Sequence, residues 1–284
     1  MRWISAIMAI LASLSPCAAQ VSTAPSEPLT VAGVPIYGIS ENGNLNWYFH
    51  QGAHNGTTLW TKAQGTPVGS GWNEGLRVFK GDPTGQDGVI YRVNSQGELY
   101  WYKHLGHATG AASWIEGKKV GHGWKDARIA FGAGNGIIYV INSQGDLLWF
   151  RHLGFASGEA TWENGGIGSK VGVKWGGARF AFSGGEGVIY SIDSKGNLFW
   201  YRHEGYQVGT FAWSKAGKPI QVGNGWNEAV SVFSGGQGLI YAMKADGGLY
   251  WYNHTGYGTG EGTWTPPGTG NRIGTGWQDL VRIF

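Results

Sequence analysis

The residues in this chain best placed to do chemistry come as pairs, an acid two positions after a Trp: Trp72 and Glu74, Trp124 and Asp126, Trp226 and Glu228, Trp277 and Asp279. An indole offers a flat apolar face that can stack on the apolar side of a sugar ring. A carboxylate nearby can accept from ring hydroxyls or an amide N–H. The chemistry on offer is reversible recognition of a small neutral polar ligand. Asn94, Asn142 and Asp193 each open an Asn/Asp-Ser-x-Gly turn and add further polar groups. Alternating strand direction would bring those turns to the same rim as the Gly-Trp turns. A second role stays open for every pair, with the Trp packed between elements and the acid capping its own turn.

Bond-breaking chemistry has less support. Neither G-x-S-x-G nor H-E-x-x-H occurs. A glycosidase needs two carboxylates across one bond. The longest insert, Lys80 to Gly88, offers only Asp82 and Asp87. Acids repeated on equivalent units favour several binding sites over one catalytic centre. The chain is therefore expected not to be an enzyme, with a glycosidase as a rival reading. His50, His104, His152, His203 and His254 sit at identical positions in successive units. That spacing should keep them apart, whereas a zinc site draws its ligands from one small sphere. They are expected to pack and to bond a neighbouring loop. No metal and no cofactor is expected.

These residues belong to a lattice that holds fifteen of the sixteen Trp residues. Each unit runs Tyr, Trp ten later, His three later and Trp ten later, beginning Tyr37, Trp47, His50, Trp60 and repeating from Tyr91, Tyr139, Tyr190 and Tyr241. A third Trp follows (Trp72, Trp124, Trp175, Trp226, Trp277), with a Phe seven beyond it (Phe79, Phe131, Phe182, Phe233, Phe284). Fixed spacing over tens of residues marks a tandem architecture with one supersecondary unit per period. The third unit departs from the pattern. It reads Val171-Gly172-Val173-Lys174-Trp175-Gly176-Gly177, with Lys before the Trp and no acid after it. If the acid contacts ligand, four sites should be competent rather than five.

Within a unit the sequence reads as four short strands. In the second these are Leu76 to Phe79, Val89 to Val93, Leu99 to His104, and a segment around Trp114 that ends at Val120. Gly-rich and Asn/Ser/Gly turns separate them. Trp101 and Tyr102 must point to opposite faces of one strand, so both faces carry large rings. Stacked blades around an axis bury both faces. The fold class is therefore all-β, a five-bladed β-propeller with four-stranded blades. The chain enters at a second strand (Ile36 to Ile39) and reaches Phe284 after a first strand (Leu280 to Phe284). The C-terminal strand should then complete the first blade and remove an exposed edge.

Composition agrees. Charged residues make up 14% of the chain and Gly supplies 52 positions, a mixture suited to short strands and tight turns. The net charge of +3 is scattered, with no basic run to track phosphates, which argues against a nucleic-acid partner. Residues 1–19 read as a secretory signal peptide: Arg2, an apolar stretch from Ile4 to Leu14 too short for a membrane span, and a small-residue cleavage site at Cys17-Ala18-Ala19. A secreted or periplasmic location follows. Leu14-Ser15-Pro16-Cys17 offers lipoprotein anchoring at Cys17 as an alternative, from which Pro16 departs. Residues 20–33 form a polar lead-in, and 34–284 the propeller.

The repeated G-x-I-Y, L-x-W-Y-x-H-x-G and V/I-G-x-G-W elements, seen in the unit AFSGGEGVIYSIDSKGNLFWYRHEG, resemble the tachylectin-type repeat of five-bladed propeller lectins across residues 34–284. The resemblance implies multivalent recognition of glycans carrying N-acetylated amino sugars, in pockets between adjacent blades. The expected partner is such a glycan and the expected state a monomer. A propeller used as a non-sugar interaction scaffold is the main alternative.

Overall fold

The computed structural model describes residues 33–284. The expected signal peptide, its cleavage site at Cys17 to Ala19, and the lead-in through residue 32 lie outside the described residues. Blade 1 holds β1 (Val34–Ser40), β2 (Leu45–His50) and β3 (Thr66–Gly69). Blade 2 holds β4 (Arg77–Lys80), β5 (Val89–Val93), β6 (Leu99–His104) and β7 (Trp114–Gly121). Blade 3 holds β8 (Ala127–Gly134), β9 (Ile137–Asn142), β10 (Leu147–Arg151) and β11 (Ser169–Gly172). Blade 4 holds β12 (Ala178–Gly185), β13 (Val188–Asp193), β14 (Leu198–Arg202) and β15 (Ile220–Gly223). Blade 5 holds β16 (Ala229–Gly236), β17 (Leu239–Lys244), β18 (Leu249–His254) and an outer strand in two pieces, β19 (Trp264–Thr265) and β20 (Asn271–Gly274). The final strand, β21 (Leu280–Ile283), pairs antiparallel with β1 and supplies the inner strand of blade 1. Tyr37 and Phe284 exchange both backbone hydrogen bonds, at 2.8 and 2.9 Å. The expected architecture and the expected closure are both present.

The aromatic lattice is the fastening between blades. The first Trp of each unit is buried, and its indole N–H donates to a loop carbonyl of the next blade: Trp47 to His107 at 2.8 Å, Trp101 to Phe155 at 2.8 Å, Trp251 back to Ala53 at 2.8 Å. That loop must pass close over the ring. At Gly110 (φ +77°) a Cβ would lie 2.4 Å from Trp47 Cε3, so only Gly fits. The second Trp reaches the other way, to the outer strand of the preceding blade, as Trp114 does to the Val68 carbonyl at 2.7 Å. The Phe of each inner strand stacks on the Tyr of the strand beside it, with centroids 5.6 Å apart for Phe79 and Tyr91.

The insert of blade 2 has a structural task. Blade 1 enters at β1, so no hairpin of its own joins inner strand to second strand. The loop after β4 fills that place. Lys80 lies buried beneath it, donating to the Pro35 and Ser234 carbonyls at 3.4 Å each, in blades 1 and 5. Gln86 donates to the Gly33 carbonyl at 3.0 Å. Burial pulls the Lys80 ammonium down to about 8.

Candidate functional site

The Gly-Trp turns carry one outer strand into the next inner strand, and the second-to-third strand turn of the preceding blade lies against them. The backbone N–H groups of Trp72, Trp124, Trp175, Trp226 and Trp277 donate to the carbonyls of Gly43, Gly97, Gly145, Gly196 and Gly247. The two kinds of turn thus share a rim, as strand alternation requires.

At this rim a cleft opens between the outer strand of one blade and the middle of the next. It is built on an aromatic triad made of the third Trp, the ring after the first Trp, and the second Trp; both Trp rings line each measured cleft, and Tyr102, Tyr201 and Tyr252 line theirs as well. The triads are Trp72–Tyr102–Trp114, Trp124–Phe150–Trp162, Trp175–Tyr201–Trp213, Trp226–Tyr252–Trp264 and Trp277–Tyr48–Trp60. The third Trp stands 4.4 to 4.8 Å, centroid to centroid, from its Tyr or Phe. Four of the clefts measure about 350 Å³ (Trp72), 500 Å³ (Trp124), 460 Å³ (Trp175) and 420 Å³ (Trp226). That range suits one small ring or a disaccharide end.

The third Trp differs from the other two in one respect. The first and second Trp of every unit donate their indole N–H to a carbonyl. None of the five third-Trp N–H groups has an acceptor among the described residues. The Gly of each V/I-G pair explains why they stay uncovered. A Cβ on Gly69, Gly121, Gly172, Gly223 or Gly274 would lie 2.4 to 3.0 Å from the indole Nε1. The ring is otherwise buried, between 5% and 8% exposed. A nearly buried ring thus keeps its single donor open to the cleft, with nothing among the described residues to receive it.

The remaining candidate residues fall elsewhere. Glu74, Asp126, Glu228 and Asp279 are exposed, and the clefts measured above are lined by none of them. Glu74 pairs with Arg92 at 3.3 Å and Glu228 with Lys244 at 2.9 Å. Arg92 and Lys244 do line the Trp72 and Trp226 clefts, so these two acids reach their clefts through a cation. Asn94 and Asn142 cap their own turns. Asn94 Oδ1 accepts from the Gln96 and Glu98 N–H groups, and Asn142 Oδ1 from that of Asp146. Asp193 does the same for Lys195 and Asn197, and also lines the Trp175 cleft. Lys174 does not close that cleft. It belongs to the lining, with Phe199 and an exposed Phe211 that widen the apolar wall.

Two parts of the triad escaped sequence reasoning, the second Trp and the ring after the first Trp. Their invariant spacing was visible, but nothing in it tells a ring at a cleft from one in the core. The five His residues are fully buried, each bonding a Tyr of the preceding blade and a loop carbonyl. No metal-binding cluster of His, Cys, Asp and Glu occurs among the described residues. Asp82 and Asp87 cap their own loop, accepting from Thr84 and Val89. Burial, and Asp82 beside it, push the Asp87 carboxyl up to about 7.

Comparison with curated proteins finds no match. Among solved structures, a symmetrical protein described for its de novo evolutionary emergence under folding constraints is 19% identical with a TM-score of 0.57, over 88% of this chain and 97% of that one. The Aleuria aurantia lectin in complex with alpha-methyl-L-fucoside is 15% identical with a TM-score of 0.40, over 85% of this chain and 74% of that one. The first likeness speaks to the fold. The tachylectin family profile matches residues 29–179 and 156–284, together spanning the propeller, and the chain belongs to the tachylectin family.

Proposed function

We propose that the protein is a secreted, monomeric, multivalent lectin that binds N-acetylhexosamine-type sugars in the clefts between blades. The observation that carries the reading is the unpaired indole N–H of Trp72, Trp124, Trp175, Trp226 and Trp277, repeated in five aromatic triads on one rim. A ligand that offers an acceptor to the N–H and an apolar face to the triad satisfies both features. The acetamido group of an amino sugar does so, its carbonyl on the indole and its methyl against the rings. Family membership supports the sugar class.

In this reading the aromatic triad provides the affinity, and Glu74 and Glu228 tune it through Arg92 and Lys244. The Trp175 cleft, which lacks the acid, is then competent. Recognition breaks no bond. Single sites are weak, and a rigid ring of them gains about 10²-fold or more on clustered glycans whose spacing matches.

A glycan array tests the class. Signal on terminal N-acetylhexosamines that rises with glycan density supports the reading. An array without signal overturns it in favour of a protein-binding scaffold.

A further inference from the structure

A second chemistry stands nearer the axis on the same rim. The inner strands begin beside the central opening, and four carry an Arg four or five residues after the rim Trp: Arg77, Arg128, Arg179 and Arg282. Each guanidinium reaches the entrance of the next blade and donates to two backbone carbonyls. Arg282 reaches Gly75 and Leu76, Arg128 reaches Trp175 and Ala178, and Arg179 reaches Asn227 and Ala229. Arg77 bridges from its own Leu76 to Arg128. The result is a ring of fixed cations around the mouth. None of the four makes an ion pair among the described residues, where the pairs engage other cations. Burial, and then the neighbouring Arg, hold Arg77 and Arg282 below the usual guanidinium range.

Blade 5 crosses to the next inner strand with a hydroxyl instead, Ser231 donating to the Ile283 carbonyl at 3.4 Å, further along that strand than the carbonyls the Arg residues cap. Blade 5 has Val230 where blades 3 and 4 have Arg128 and Arg179. The space a fifth guanidinium would fill is a cavity of about 500 Å³, lined by Val230, Ser231, Met243, Lys244, Gln278 and Arg282 among others. Arg282 and an amide border it, beside Lys244, whose ammonium pairs with Glu228, and the side chain of Gln278 makes no hydrogen bond among the described residues. A concave gap in a ring of guanidinium groups that make no ion pair focuses positive potential on that gap.

We propose that this gap between blades 5 and 1 is an anion site, distinct from the aromatic clefts, that takes a tetrahedral oxyanion such as a sulfate or phosphate group. Arg282 and Gln278 supply the donors, and the rest of the ring supplies the field. Forked guanidinium donors match oxyanion geometry better than a point charge does. Were the anion borne by a glycan, this site would add a charge requirement to the neutral recognition in the clefts.

The test is calorimetric titration of the whole protein with sodium sulfate and sodium phosphate against sodium chloride at equal ionic strength. The expected result is one anion per chain for sulfate or phosphate and none for chloride, unchanged when N-acetylglucosamine is saturating. Val230→Glu places a carboxylate in the gap without removing a native hydrogen bond and should weaken anion uptake at least 10-fold, while sugar titration is unaffected. Arg282→Gln should weaken it likewise. Absence of one-to-one uptake, displacement by N-acetylglucosamine, or wild-type uptake by a folded Val230→Glu variant would overturn the proposal. Loss of sugar binding with the anion site intact would strike the lectin reading alone.

Discussion

The Tyr37 hydroxyl stands 2.8 Å from His104 Nδ1 across the junction of blades 1 and 2. His104 Nε2 lies 2.8 Å from the Ala111 carbonyl, which can only accept. The imidazole therefore carries its proton on Nε2, and the Tyr donates to Nδ1. The pair recurs at every junction: Tyr91 with His152, Tyr139 with His203, Tyr190 with His254, and Tyr241 with His50. Each His also bonds the carbonyl seven residues on. One His thus pins its own loop and the neighbouring blade together.

Tyr91→Phe removes the donor and leaves His152 Nδ1 buried without a partner. The loss should be about 1–3 kcal/mol in urea unfolding, with the far-ultraviolet spectrum unchanged. A loss below about 0.5 kcal/mol would mean that the junction does not depend on this bond.

The same residues set the acid limit. Burial lowers all five His pKa values, that of His50 to about 4. A depressed folded pKa means that the unfolded chain binds more protons as pH falls below 6.5. Stability is then fully present above that value and is lost as pH drops toward 4. Melting temperature measured across this window should fall steadily. A flat profile would show that the imidazoles are not held neutral.

Lys80 should act at the other end of the scale. Its folded pKa of about 8 lies below the ordinary 10.5, so the unfolded chain again holds the extra proton in that interval. Its contribution rises with pH from 8 toward 10.5 and is lost as pH falls through 8. Lys80→Met keeps the apolar stem and removes the charge. The stability difference between wild type and variant should therefore shift in favour of wild type over that interval. A difference that does not change with pH would mean that Lys80 reaches solvent.

Gly172→Ala tests the cleft directly. Its backbone is extended enough for Ala, yet the new methyl would lie 2.6 Å from Trp175 Nε1. One sugar site should disappear from the stoichiometry, with a stability loss of about 1–3 kcal/mol as the packed ring gives way. Retention of every site would show that the indole N–H is not a ligand donor.

Much of this was legible in the residues. The constant Tyr–Trp–His–Trp spacing specified the blades, and the unmatched strand at Leu280 specified the closure, because an integer number of units leaves one strand to pair with Ile36 to Ile39. The roles of the three Trp residues were not legible. All sit at fixed spacing, and only the positions of acceptors such as Phe155 O and Val68 O tell a fastened indole from a free one. The acids drew attention because they follow a Trp by two, but a tight turn sends neighbouring side chains apart, and Glu74 meets Arg92 instead of the ring. Asn94 and Asp193 repeat for the same reason that turns repeat, which is that their side chains close them.

Calorimetric titration of the wild-type protein with N-acetylglucosamine bears most directly on the central claim, since it reports binding and site number together. The account predicts a stoichiometry near five, one for each triad from Trp72 to Trp277. A stoichiometry of four, with Glu74→Ala and Asp126→Ala each removing one site, would move the weight from the indole N–H to the acids. Absence of binding at millimolar sugar would contradict the claim outright.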